Sequence, residues 1–141
     1  MAERRVIERL RTVMPPWSVN TLAQTVGTAA LRDSEYADRI RRYIRDRREE
    51  LTAEISEMPG LCAYAGTANF ILVRSDRKDI PATELARLCL ADGIAIRICD
   101  NFAGLDERFF RIAVRTAEEN CRLCNSLRKA LGVSEGFIRS R

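Results

Sequence analysis

The chain contains no histidine, and of its 24 basic residues only Lys78 and Lys129 are lysines. A zinc site built on cysteine wants two CxxC pairs or one pair with histidines. Only Cys121 and Cys124 stand in CxxC spacing, so no metal site is expected. No apolar run approaches the roughly 18–20 residues that span a bilayer, which argues against a membrane protein. The opening "MAERRVIERLRTVMPP" is charged and lacks the apolar stretch of a secretory signal. Five cysteines, Cys62, Cys89, Cys99, Cys121 and Cys124, in a chain without an export signal predict reduced thiols and a cytoplasmic setting. The CxxC pair falls inside a predicted helix, away from the strand-to-helix junction of redox motifs. It reads as packing, with cysteine acting as a small hydrophobe.

What is present is enough for a folded domain: 141 residues, 46% hydrophobic, with a net charge of only +4. The run "RIRRYIRDRREE" is rich in arginine, but acids are interleaved through it. A solvated helix face explains it better than nucleic-acid binding.

Residues 3–13 carry a loose helical period through Val6, Leu10 and Val13, stopped by Pro15 and Pro16. Ser18 is placed to cap a second helix, with Val19, Leu22, Ala23, Val26 and Ala30 on one face. Gly27 within it suggests a close backbone approach. Residues 34–58 predict the longest helix. Its buried stripe would be Tyr36, Ile40, Tyr43, Ile44, Leu51, Ile55 and Met58, and Pro59-Gly60 would end it. The period then changes. "LCAYAG" (61–66) and "ANFILVR" (68–74) read as strands, the second apolar enough to be central. A helix follows Pro81 and stops near Gly93. Residues 94–99 and 109–115 read as two further strands. Thr116 and Glu119 form a capping box opening a last helix through Leu123, Leu127 and Leu131, closed at Gly132. The order predicts an α+β fold: a small, mostly antiparallel sheet covered by helices. The remainder, 133–141, reads as a frayed tail.

The last two strands hold the chemistry. In "IAIRICDNFAGLDERFFRIAVR" (94–115) an arginine interrupts each apolar run. Alternation puts Ile94, Ile96 and Ile98 on one face and Ala95, Arg97 and Cys99 on the other. Likewise Phe110, Ile112 and Val114 oppose Phe109, Arg111, Ala113 and Arg115. Small neighbours would leave room for a ligand beside each guanidinium. A hairpin closed by 100–108 would bring Arg97 and Arg111 onto one surface. Paired guanidiniums bind carboxylate or phosphate bidentately. Arginines on a wet sheet face are also ordinary, so periodicity alone leaves both readings open.

The segments "PPWSVNTLAQ" (15–24), "ANFILVR" (68–74), "IRICDNFAGLDERFFRIAVRTAEEN" (96–120) and "LRKALG" (127–132) add specificity. They resemble the C-terminal part of the fold-type I pyridoxal-phosphate enzymes. The branch is that of histidinol-phosphate aminotransferase and L-threonine-O-3-phosphate decarboxylase, with the decarboxylase nearer. The resemblance runs from about residue 3 to 132. It implies that Arg111 binds the substrate α-carboxylate and that Arg97 lines the same pocket. It places Trp17, Ser18 and Asn20 near the active-site cleft, and Asn69 on the strand facing the small-domain hinge. Aminotransferases of this branch usually carry glycine where Arg115 stands, which tilts the resemblance toward the decarboxylase.

The resemblance also implies an incomplete enzyme. The family's Schiff-base lysine lies upstream of the P-W-S-V-N segment, and residues 1–14 contain no lysine. The implied organisation is connecting helices at 1–33, a small C-terminal domain at 34–132 and a tail at 133–141. The large domain would be elsewhere, pyridoxal 5'-phosphate would belong to the complete enzyme, and this chain alone would be inactive. The implied partners are a phosphorylated anionic amino-acid substrate and a second subunit, with neither nucleic acid nor membrane. Two other functions stay open on the residues: a stand-alone module holding a small anion, and an arginine-rich nucleic-acid binder.

Overall fold

The computed structural model describes residues 3–15 and 18–133. The chain divides into two compact units, Met1–Arg39 and Ile40–Arg141, with the division inside a helix.

In the first unit, α1 (Arg4–Val13) and α2 (Thr21–Arg32) bury no residue. Their apolar residues face outward, Leu22 at 79% and Leu31 at 89% exposure. The cap of α2 is Asn20 rather than Ser18: the Asn20 side-chain oxygen accepts from the Ala23 N–H at 2.8 Å. Asparagine two residues closer to the first helical turn reaches an orphan amide that Ser18 does not. The space around Gly27 is open, with nothing within 4 Å of where a Cβ would sit, so the expected close approach is absent among the described residues.

Helix α3 (Ser34–Ser56) ends near the expected Pro59-Gly60. Its stripe is only half as buried as its period suggests. Leu51, Ile55 and Met58 are core, whereas Tyr36, Ile40 and Tyr43 are exposed. The arginine guanidiniums of Arg39 and Arg47 lie over the Tyr36 and Tyr43 rings at 5.4 and 5.8 Å, which accounts for aromatics on a wet helix face.

The second unit is built on a four-stranded antiparallel sheet. Strands β1 (Leu61–Tyr64), β2 (Phe70–Ser75), β3 (Arg97–Ile98) and β4 (Phe109–Ala113) stand in the order β1-β2-β4-β3. The apolar β2 is central, as its composition predicts. Helices α4 (Ala82–Ala91) and α5 (Ala117–Ala130) complete the α+β domain. One sheet face, carrying Leu61, Ile71, Val73, Phe110 and Ile112, joins a single core with Leu51 and Ile55 of α3, Leu85 and Cys89 of α4, and Leu123 and Leu127 of α5. Burial of each large member contributes about 1.5–3 kcal/mol. The other face is left without a helix from this set.

Strand β3 is shorter than the run 94–99 predicts. Gly93, at φ +78, turns the chain out of α4, and the Ile94 N–H is taken by the Cys89 carbonyl at 2.9 Å. That helix-closing bond removes residue 94 from the ladder. Ile94 and Ile96 still pack against the core. The capping box opening α5 is present: Thr116 Oγ1 accepts from the Glu119 N–H, and the Glu119 carboxylate accepts from the Thr116 N–H. The expected tail lies outside the described residues beyond Val133.

Candidate functional site

The turn between β3 and β4 is set by its own backbone. The Cys99 N–H donates to the Phe109 carbonyl at 2.8 Å, and Gly104 supplies a positive φ of +84°. The Asp106 carboxylate accepts from the Arg108 backbone N–H at 3.0 Å and from its guanidinium. This geometry puts Arg97 directly opposite Arg111 in the antiparallel register. Opposite residues project to the same side, so both guanidiniums rise from the open face. The same face carries Phe70, Leu72 and Arg74 from β2, since Leu72 pairs with Arg111 and Phe70 with Ala113.

Placing like charges directly opposite each other in a sheet destabilises it. Neighbouring arginines avoid that cost with carboxylates. Arg74 pairs with Asp76 at 2.8 Å, Arg108 with Asp106 at 2.7 Å, and Arg115 with Glu119 at 2.7 Å. Each acid is held below its usual range by its arginine; for Glu119, hydrogen-bonded first by Arg115 and then by Thr116, the value falls to about 2. Arg97 and Arg111 have no carboxylate partner among the described residues. Their contacts are aromatic: Arg111 lies 4.5 Å from the Phe70 ring centre, and Arg97 lies 5.3 Å from that of Phe102. Residue spacing along the two strands predicts small neighbours. The side chains beside the guanidiniums are instead phenylalanines, one brought by strand β2 and one by the turn. No sequence signal tied Phe70 to Arg111, because their adjacency depends on β2 pairing with β4. The adjacency of Phe102 to Arg97 depends on the fold of the turn.

The remaining candidates separate. Asn69 immediately precedes Phe70, and its backbone carbonyl accepts from the Val114 N–H at 2.9 Å, so it sits at the end of β2 beside the arginine strand. Ser18 and Asn20 belong to the first unit, and Asn20 is occupied as a helix cap. Trp17 lies outside the described residues. Arg115, at the position that tilts the resemblance, is spent on Glu119.

Neither lysine suits a Schiff base with a cofactor held near the arginines. Lys129 is on α5 with its amine on Asp92 at 2.8 Å, and Lys78 lies exposed in the loop after β2. The open sheet face carries no lysine in its paired positions. The described residues therefore place no lysine beside the arginine pair to hold pyridoxal phosphate as a Schiff base. Among the described residues no group of histidine, cysteine or acid side chains is arranged to hold a metal, and no helix is long and apolar enough to cross a membrane. All five cysteines are free.

The second unit is thus a small antiparallel sheet with helices on one face and, on the other, two cross-strand arginines with no carboxylate partner among the described residues. The chain belongs to the pyridoxal-phosphate-dependent family described as Aminotransferase class I and II, whose profile matches residues 1–127. Threonine-phosphate decarboxylase from Salmonella typhimurium is 39% identical over 123 residues, covering 87% of this chain and 33% of that protein. Histidinol-phosphate aminotransferase from Methanothermobacter thermautotrophicus is 32% identical over 127 residues, 90% of this chain and 34% of that one. The solved histidinol-phosphate aminotransferase from Clostridium acetobutylicum superposes with a TM-score of 0.73 at 25% identity, covering 92% of this chain and 38% of its own. The chain thus spans about a third of the length of these relatives.

Proposed function

We propose that the chain is the substrate-binding C-terminal domain of a pyridoxal-phosphate-dependent decarboxylase acting on L-threonine O-3-phosphate in cobalamin biosynthesis. The observation that carries this reading is the cross-strand pair Arg97–Arg111, two guanidiniums with no carboxylate partner among the described residues. L-threonine O-3-phosphate offers two anionic groups, an α-carboxylate and a phosphate. Arg111 grips the carboxylate through its planar fork, and Arg97 supports the phosphorylated end. Fixing the carboxylate fixes its angle to whatever electron sink acts on it, so Arg111 helps choose the bond that breaks. The cofactor supplies that sink when bound. Without a suitable lysine the chain alone is inactive, and the cofactor half comes from a large domain of the size the relatives suggest. Under this reading residues 1–33 connect the two domains, residues 34–132 form the small domain, and 133–141 trail from it. Exposed apolar residues on α1 and α2 support self-association through residues 1–30, which light scattering would test by showing species larger than a monomer.

The alternative is the same domain of a histidinol-phosphate aminotransferase, favoured by the 32% identity to such an enzyme. Histidinol phosphate carries a phosphate and no carboxylate, which separates the two readings. The experiment is an NMR titration of the isotopically labelled chain, following the Arg97 and Arg111 Nε–Hε signals. O-phospho-L-threonine is expected to move both signals with weak, millimolar affinity, because half the site is missing, and Arg111→Ala should abolish the response. Histidinol phosphate moving the same pair equally well would favour the aminotransferase. Micromolar affinity for phosphothreonine would favour a stand-alone anion module. Neither ligand moving either signal at saturation would sink the site.

A further inference from the structure

Phe70 and Phe102 are 38% and 42% exposed, whereas Phe110 is fully buried and Phe109 half-buried. Neither belongs to the core. Each instead presents its ring to one of the two arginines that have no carboxylate partner among the described residues. A carboxylate partner holds a guanidinium by consuming its N–H donors and cancelling its charge. An aromatic ring holds it through the π face, leaving the charge intact and the N–H edge free.

Resting on the reading of Arg97 and Arg111 as an anion site, we propose that Phe70 and Phe102 are positioning residues. Each seats one guanidinium by stacking, so that its donors stay unspent until the anion arrives. The seats differ in stiffness. Phe70 opens the central strand, and its approach is pinned by Arg48, whose Nη1 donates to the Thr67 and Ala68 carbonyls at 3.1 Å each. The Val114 N–H to Asn69 carbonyl bond ties the same corner to β4. Phe102 sits in the turn, where its N–H bonds to the Cys99 carbonyl at 3.2 Å and its carbonyl accepts from the Leu105 N–H at 3.1 Å. Both of its backbone bonds stay within the turn, and neither ties it to the rest of the sheet. Arg111 therefore has a fixed seat, suited to the carboxylate that every amino-acid substrate shares. Arg97 has an adjustable seat, suited to the end of the substrate that varies, so the 99–108 turn is where specificity for that end resides.

The test uses the 141-residue chain with Phe70→Leu, Phe70→Trp and Phe102→Leu, reading the arginine Nε–Hε signals and then phosphothreonine binding. In the ligand-free chain, ring currents should displace the Hε protons of Arg111 and Arg97 upfield, with Arg111 the more ordered by 15N relaxation. Phe70→Leu should remove the displacement and the order at Arg111 alone, Phe102→Leu those at Arg97 alone, and Phe70→Trp should keep them. Each leucine variant should weaken phosphothreonine about two- to fivefold, the worth of one exposed cation–π contact. Order at Arg111 that survives Phe70→Leu overturns the seat, as does affinity unchanged when the order is lost. Ring-current shifts and order as expected, with no response of either arginine to phosphothreonine in the parent chain, support the seating and refute the anion reading instead.

Discussion

Replacing Arg111 with leucine distinguishes an arginine kept for binding from one kept for structure. Three effects set the outcome. Removing one of two like charges in register relieves a repulsion of the size of a cross-strand pair, about 0.2–1 kcal/mol. Losing the stack on Phe70, at 4.5 Å on a half-exposed face, costs about 0.5–1 kcal/mol. Leucine then meets Leu72 in register and Phe70 diagonally, an apolar pairing that returns about 0.2–1 kcal/mol. The terms largely cancel, leaving a net change between about 0.6 kcal/mol of destabilisation and about 1.5 kcal/mol of stabilisation. Among the described residues no side-chain hydrogen bond or ion pair of Arg111 is broken, so no buried group is stranded. Urea unfolding followed by circular dichroism should show no large fall in midpoint and an unchanged m-value. The same variant should lose its response to phosphothreonine entirely. A loss of stability beyond about 2 kcal/mol would refute the reasoning, because that is the signature of a structural arginine with a buried partner.

Three further outcomes follow from the packing and the charges. Leu127→Ala, in the middle of the shared core, should lose about 2–5 kcal/mol by thermal or urea unfolding and serves as the structural contrast to Arg111→Leu. The Glu119 carboxyl is lowered from 4.5 to about 2 by Arg115 and the Thr116 cap, and Asp79 from 3.8 to about 2 by Arg77. A depressed acid stabilises the fold fully above its unfolded value and loses that contribution as pH falls through its folded value. Stability should therefore decline from about pH 5 down to pH 2, and Glu119→Gln should flatten part of that decline in unfolding curves taken across the range. Burial pushes the Cys124 thiol up to about 12, whereas Cys121 is exposed. At pH 8 iodoacetamide should label Cys121 in the folded chain and reach Cys124 only in urea, as read by peptide mass spectrometry.

Much of this molecule was legible without coordinates because the relevant physics is local. Alternation assigned Phe110 and Ile112 to the core and Arg111 to the opposite face, since a strand has a period of two wherever it pairs. The Thr116–Glu119 cap and the glycine stops at Gly93 and Gly132 are decided within a few residues, and each is formed. The family's motifs were equally local, short strings around the two arginines. Tertiary structure decided what those strings meet. The order β1-β2-β4-β3 brought Phe70 under Arg111, a neighbour some forty residues away along the chain. Helix-closing bonds shortened β3, and burial along α3 stopped short of Tyr36, Ile40 and Tyr43, although these residues keep the helical apolar spacing. The carboxylates that neutralise Arg74, Arg108 and Arg115 stand within four residues of them and can be read along the chain. The ring that meets Arg111 cannot, because strand pairing brings it from far along the sequence and no local spacing encodes that.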